Sequence, residues 1–191
     1  MLGMALCIIE APINAAESPV RPGDHIAFVG NTFADQLRSH GFLETLLLQR
    51  SIGNPVSIRN LGWAGDMLKA RDRPTNFPTE ASTLAAHKTD VIIACFGMGE
   101  SFAGVSALME FKNNLTAFIA SHRGKKYNGK SEVRLVLVSP IAYENLGLRT
   151  PRWQERNREL SAYTRIMSET ASKMGVPFVD LYGPTTELIK D

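Results

Sequence analysis

Apolar runs alternate along the chain with stretches of helical spacing. HIAFVG (His25–Gly30) is a short apolar run ending in glycine and predicts a buried strand. In TFADQLRSHGFLETLLLQR, Phe33, Leu37, Phe42, Leu43, Leu46 and Leu47 recur at helical spacing, with Gly41 placed to break the helix in two and His40 in the helical run. PVSIRNLG (Pro55–Gly62) alternates and predicts a second strand, and residues 66–88, rich in Arg, Pro and Thr, predict a long loop with one helix. DVIIACFG (Asp90–Gly97) is a third, fully apolar strand. VSALMEFKNNLTAFIASH (Val105–His122) predicts an amphipathic helix and VRLVLVSP (Val133–Pro140) a fourth strand. A long helix over Pro151–Gly175 with a glycine stop, a fifth strand over Val176–Gly183 and a last helix starting in TTELIKD complete the pattern.

Strands alternating with helices predict right-handed βαβ units and a parallel sheet. The strands are continuous apolar runs, as required when helices cover both sheet faces. The expected fold is therefore α/β: a three-layer α/β/α sandwich around a five-stranded parallel sheet. Composition agrees. The chain has 191 residues, 44% hydrophobic and 21% charged, enough for one domain with its own core. The formal charge of +2 supplies no broad basic field, so nucleic acid is not an expected partner. The basic loop carrying Arg123, Lys125, Lys126, Tyr127 and Lys130 reads as a solvated loop.

The N-terminus changes the expected compartment. Met1–Ile9 (MLGMALCII) is apolar, and the small residues Asn14, Ala15 and Ala16 follow. This is the hydrophobic region and cleavage site of a signal peptide without its basic start, so residues 1–17 read as a signal-peptide remnant and the chain as periplasmic or extracellular. The run is too short to span a membrane. Cys7 falls within it. Cys95, inside VIIACF, reads as a small buried apolar residue, so no disulfide framework is expected. No residue cluster has metal-ligand spacing, and neither metal nor cofactor is expected.

Open α/β sheets bind ligands at the carboxyl ends of their strands. That rule selects Gly30-Asn31-Thr32, Trp63-Ala64-Gly65-Asp66, Gly97-Met98-Gly99-Glu100-Ser101, Ser139–Glu144 and Asp180–Pro184. The histidines fall elsewhere: His25, His87 and His122 at the amino edge, and His40 about 12 Å down a helix at 1.5 Å per residue. Two familiar motifs fail on context. Gly99-Glu100-Ser101-Phe102-Ala103 approaches Gly-x-Ser-x-Gly, but no acid-then-histidine order follows it. Phe102 occupies the third glycine of a dinucleotide fingerprint. Glu100, Asp66 and Glu144 share this edge and read as loop and cap acids.

Taken in order, GNTFADQL, RNLGWAGD, FGMGESFAG, KYNGKS, LVLVSPIA and FVDLYGPT resemble the SGNH/GDSL-type hydrolases, over about residues 24–191. They are most similar to a subgroup found in large secreted bacterial multidomain proteins with haem-binding modules. The resemblance implies a flavodoxin-like esterase fold acting on a small-molecule or glycan ester, with neighbouring modules of a larger protein as further partners. It places Thr32 at the nucleophile position, where the family has Gly-Asp-Ser and this chain has Gly30-Asn31-Thr32. Gly65 matches a backbone oxyanion donor. Gly99 stands where the family has an oxyanion asparagine, so one side-chain donor is missing. Asn31, Asp66, Glu100 and Ser101 flank these positions as candidate binding residues. The family's Asp-x-x-His has no counterpart in residues 18–191, and the implied base is a histidine beyond Asp191. The alternative expectation is a non-catalytic glycan-binding or structural module.

Overall fold

The computed structural model describes residues 18–190, so the proposed signal-peptide remnant lies outside the described residues. Five parallel strands form one sheet in the order β2-β1-β3-β4-β5. They are β1 (His25–Gly30), β2 (Ser57–Asn60), β3 (Val91–Cys95), β4 (Arg134–Val138) and β5 (Phe178–Val179). The helices are α1 (Thr32–His40), α2 (Phe42–Arg50), α3 (Glu80–Ala86), α4 (Leu108–His122), α5 (Trp153–Met174) and α6 (Tyr182–Leu188). The expected three-layer α/β/α sandwich is the observed fold.

Alternation along the central strands divides the core. Ala27, Val29, Ile92, Ala94, Leu135 and Leu137 pack against Leu84 of α3, Phe111 and Leu115 of α4, and Tyr163 and Met167 of α5. Ile26, Phe28, Val91 and Val136 point the other way and meet Leu37 of α1 and Leu43 and Leu47 of α2. Side chains along a strand alternate faces, so a continuous apolar run serves both layers.

The sequence expectations differ from the structure where local signals compete. The fifth strand is only Phe178–Val179, not Val176–Gly183, because the backbone amides of Leu181 and Tyr182 turn onto the Ser139 hydroxyl (2.8 and 3.0 Å) and start α6. The fourth helix begins at Leu108 rather than Val105. Gly104, at φ 73°, separates two 3-10 turns, Glu100–Ala103 and Val105–Ala107, ahead of it. His40 is the last residue of α1, since Gly41 takes a left-handed conformation at φ 66° and ends the helix there.

The pairing register aligns the ends of the strands. Gly30 pairs with Cys95, and Cys95 with Val138, so the loops after β1, β3 and β4 leave the sheet from one row. The chain passes from β1 outward to β2 and then returns to β3 on the other side of β1. This reversal is the crevice where doubly wound sheets bind ligands.

At the opposite edge, His25 Nδ1 lies 2.6 Å from the His87 carbonyl, with the two rings 5.1 Å apart. His122 is buried at the end of α4 against Phe118 and Tyr127. Burial, with the charges of Arg71 and Lys125 behind it, lowers the His122 pKa to about 4. Glu80 lies 3.7 Å away but is itself tied to Arg71 at 2.6 Å, which blunts its pull on a proton. The unfolded chain therefore takes up this proton near pH 6.5 and the folded chain does not. The stability is fully present above about pH 6.5 and falls as pH drops toward 4, by about 3 kcal/mol at most for a shift of this size. Urea denaturation between pH 7 and 4 checks this, and His122→Phe is expected to flatten that part of the slope.

Candidate active site

The site is built from the loops after β1, β2 and β3. Asn31 caps α1: its side chain accepts from the Phe33 amide at 3.0 Å, and its own amide donates to the Cys95 carbonyl at 3.1 Å. The buried cap joins β1 to β3 and sets Thr32 as the first residue of α1, with an exposed side chain. A first-turn amide has no acceptor within its own helix, so the Thr32 N–H is a donor open to a ligand.

The loop after β2 is brought onto this helix start. Asn60 Nδ2 donates to the Ala34 carbonyl at 2.7 Å, and its Oδ1 accepts from the Gly62 amide at 2.8 Å. The chain then turns through Gly65 at φ 85°, a conformation that suits glycine. The Gly65 N–H donates to Thr32 Oγ1 at 3.2 Å. The structure thus brings together two residues 33 positions apart in sequence: an exposed hydroxyl and a backbone donor.

Asp66 is buried, and its carboxylate is taken up by an arginine. Arg73 donates to both its oxygens, at 2.8 and 2.6 Å, and lies 4.6 Å over the Trp63 ring. The bidentate pair anchors the loop that presents Gly65.

Glu100 and Ser101 face into their own loop. Glu100 accepts from the amides of Gly97 and Leu68, each at 2.8 Å, and so ties the loop after β3 to the loop after β2. Burial pushes its carboxyl pKa up, while those amides oppose the shift by holding the anion. Ser101 is 0% exposed; its hydroxyl donates to the Met98 carbonyl at 2.7 Å and accepts from Arg156 Nη2 at 2.9 Å. Arg156 also pairs with Glu159 and covers the Phe102 ring. The fold had no need for Ser101 as an exposed elbow hydroxyl, and Arg156, 55 residues away, carried no signal in the sequence that would have linked them.

Gly99 explains itself by its neighbour. A Cβ at this position would lie 2.9 Å from Met67 Cγ and 3.4 Å from its sulfur. The thioether fills the space that a side-chain donor at 99 would need. Gly99→Asn alone is expected to cost about 1–3 kcal/mol by overpacking. In urea denaturation, Met67→Ala/Gly99→Asn is expected to be more stable than the single Gly99→Asn variant.

No histidine reaches this edge among the described residues. His25 starts the strand that Gly30 ends, about 17 Å away over five steps of 3.3 Å. His87 sits against His25, His122 ends α4, and His40 is eight residues along α1 from Thr32. Among the described residues no group of His, Cys, Asp and Glu is arranged to hold a metal ion, and no helix is long and apolar enough to cross a membrane.

A parallel sheet in this order, with a hydroxyl and a facing amide at the β1 switch point, defines a doubly wound α/β/α domain with a candidate site at its carboxyl edge. The chain belongs to the GDSL-like lipase/acylhydrolase family, whose model matches residues 23–190. Solved structures share the fold. A gut microbial diltiazem-metabolizing enzyme superposes with a TM-score of 0.64 at 19% identity over 87% of this chain, which spans only 38% of that protein. An acetylxylan esterase from Geobacillus stearothermophilus gives 0.62 at 19% identity, covering 90% of this chain and 82% of the esterase. An alpha/beta hydrolase from the metagenome of Lake Arreo, Spain, gives 0.61 at 16% identity over 91% and 84% of the two chains. No curated protein matches the chain significantly.

Proposed function

We propose that the domain hydrolyses carboxylic esters at Thr32. The observation that carries this reading is the 3.2 Å contact between the Gly65 N–H and Thr32 Oγ1 at the carboxyl edge of an acylhydrolase-family sheet. Thr32 Oγ1 attacks the acyl carbon and gives up its proton to a base. The alcohol leaves with a proton, and water then cleaves the acyl-threonine ester. As Thr32 Oγ1 attacks, the Gly65 N–H is released from it and, with the Thr32 amide, donates to the acyl oxygen that becomes negative. Asn31 holds the start of α1, while Asp66 and Glu100 fix the two loops. The base is not a described histidine, which makes the reaction sensitive to added imidazole. Hydrolysis of 4-nitrophenyl acetate with and without imidazole is expected to exceed that of Thr32→Ala. Equal rates for the two proteins, above the rate of imidazole in buffer, would place the reaction elsewhere.

A second reading is a non-catalytic glycan-binding module. The specific observation favouring it is Met67 packed into the position of the missing donor at Gly99. A folded domain that binds oligosaccharides with no Thr32-dependent turnover would support it. Under either reading we place the protein in the periplasm or outside the cell, on the strength of the apolar Met1–Ile9 run and the small residues after it. The mass of the exported form tests this. Neighbouring modules of a larger protein fit the same setting.

A further inference from the structure

A groove of 640 Å³ is lined by residues of the edge strand β2, the loop after it, α1 and the segment leading into α3. Arg59 enters it from β2, Arg38 from α1, and Arg71 and Arg73 from the loop before α3. Its floor carries Trp63 and Phe77, which meet edge to face at 5.4 Å and are 42% and 45% exposed. Among the described residues Glu80 is the only acid lining it.

Three of the four guanidinium groups are held in place by carboxylates. Arg71 bonds Glu80, Arg73 bonds Asp66 and Arg38 bonds Asp35, each at 2.6 Å. A guanidinium has five donors, so an anchored arginine keeps some for a ligand. The Arg38 side chain remains 61% exposed in its pair. Arg59 is exposed and has no ion-pair partner among the described residues. Arg59 therefore carries the groove's unpaired positive charge, with the remaining donors of Arg38, Arg71 and Arg73 and the rings of Trp63 and Phe77 around it. Arginine forks match carboxylate and sulfate oxygens, and the part-exposed rings of Trp63 and Phe77 offer apolar surface beside them, one face of Trp63 being covered by Arg73. Trp63, in the groove lining, belongs to the same β2 loop as Gly65, whose amide bonds Thr32.

We propose that this groove binds an acidic sugar, carboxylated or sulfated, as the part of the substrate remote from the scissile ester. The inference rests on the esterase reading for the role of the ligand, but not for its binding. A polynucleotide is disfavoured because the cations cluster in one groove on a chain of formal charge only +2.

Calorimetric titration of the full-length Thr32→Ala protein tests binding without turnover. The probes are a galacturonic acid trimer, a sulfated disaccharide, a neutral xylose trimer and adenosine monophosphate. At least one acidic sugar is expected to bind, more weakly as salt rises, and the neutral trimer is not. Arg59→Gln is expected to weaken that binding about tenfold, and Trp63→Leu to weaken it as well. Circular dichroism shows that each variant is folded. Preference between the two acidic probes assigns carboxylate or sulfate. Equal binding of the neutral trimer, tighter binding of the nucleotide, insensitivity to Arg59→Gln, or no binding by the folded protein would each overturn the proposal. Loss of 4-nitrophenyl acetate hydrolysis bears only on the esterase reading, since these titrations do not depend on turnover.

Discussion

Gly30→Ala is expected to destabilise the fold severely. Gly30 ends β1 at φ 134°, a backbone conformation that other residues rarely adopt. A Cβ there would sit 2.8 Å from the Cys95 carbonyl carbon and 3.0 Å from its nitrogen, with the carbonyl oxygen closer still. These are backbone atoms of β3, which is hydrogen-bonded to β1 on one side and β4 on the other. They cannot move without breaking the centre of the sheet. The same carbonyl accepts the Asn31 amide that sets α1, so the clash also reaches the start of the Thr32 helix. A loss of about 4 kcal/mol or more is expected, a large part of the total stability of a domain. Gly41→Ala is the control. Gly41 also has positive φ, but nothing lies within 4 Å of its Cβ position. Its cost is expected to be about 1–2 kcal/mol from backbone strain alone. Thermal or urea denaturation of the two variants checks the contrast.

Glu100→Ala is expected to cost about 2–4 kcal/mol, because it strands two backbone donors at once. Its oxygens are the acceptors for Gly97 N–H and Leu68 N–H, and Leu68 is buried. Glu100→Gln does not rescue fully, since the amide nitrogen would face one of the two donors. The isosteric change is nevertheless expected to lie between wild type and alanine. Burial raises the folded-state pKa of Glu100 above its ordinary value, so this group favours folding most when protonated. The part of the stability tied to it is present below the ordinary carboxylate range and fades as pH rises through the raised value. The pH profile of Glu100→Gln against wild type is expected to remove that fading. A variant indistinguishable from wild type at every pH would show that the two loops are held by other contacts.

The central sheet was legible in the sequence because its strands are uninterrupted apolar runs. His25–Gly30 is predicted and observed with the same ends, and the runs around Val91–Cys95 and Arg134–Val138 differ only at their margins. Gly175, in the left-handed conformation at φ 66°, ends α5 as its position after a long helical pattern requires. β5 was not legible, because whether Val176–Gly183 stays extended depends on the Ser139 hydroxyl some 40 residues earlier. The same limit applies to the site. The carboxyl-edge rule selects Thr32 and Gly65 without contact information, but nothing local shows that one donates to the other. In the sequence Glu100 reads as a loop or cap acid, and both it and Ser101 stand as candidate binding residues at the carboxyl edge. Only the distant partners Leu68 and Arg156 turn them inward. The β2 groove was not legible either, because Arg38 falls in a predicted helix, Arg59 in a predicted strand and Arg71 and Arg73 in a predicted loop, and only the fold brings them to one surface.

The most direct test of the account asks which hydroxyl accepts an acyl-like group. The protein is treated with an organophosphonate ester that phosphonylates nucleophilic hydroxyls, with imidazole present as base, and its peptides are weighed by mass spectrometry. One added phosphonyl group on the peptide carrying Thr32, absent in Thr32→Ala, is the predicted result. A label on Ser101 or another hydroxyl, or no label on a folded protein under conditions where it hydrolyses esters, would contradict it.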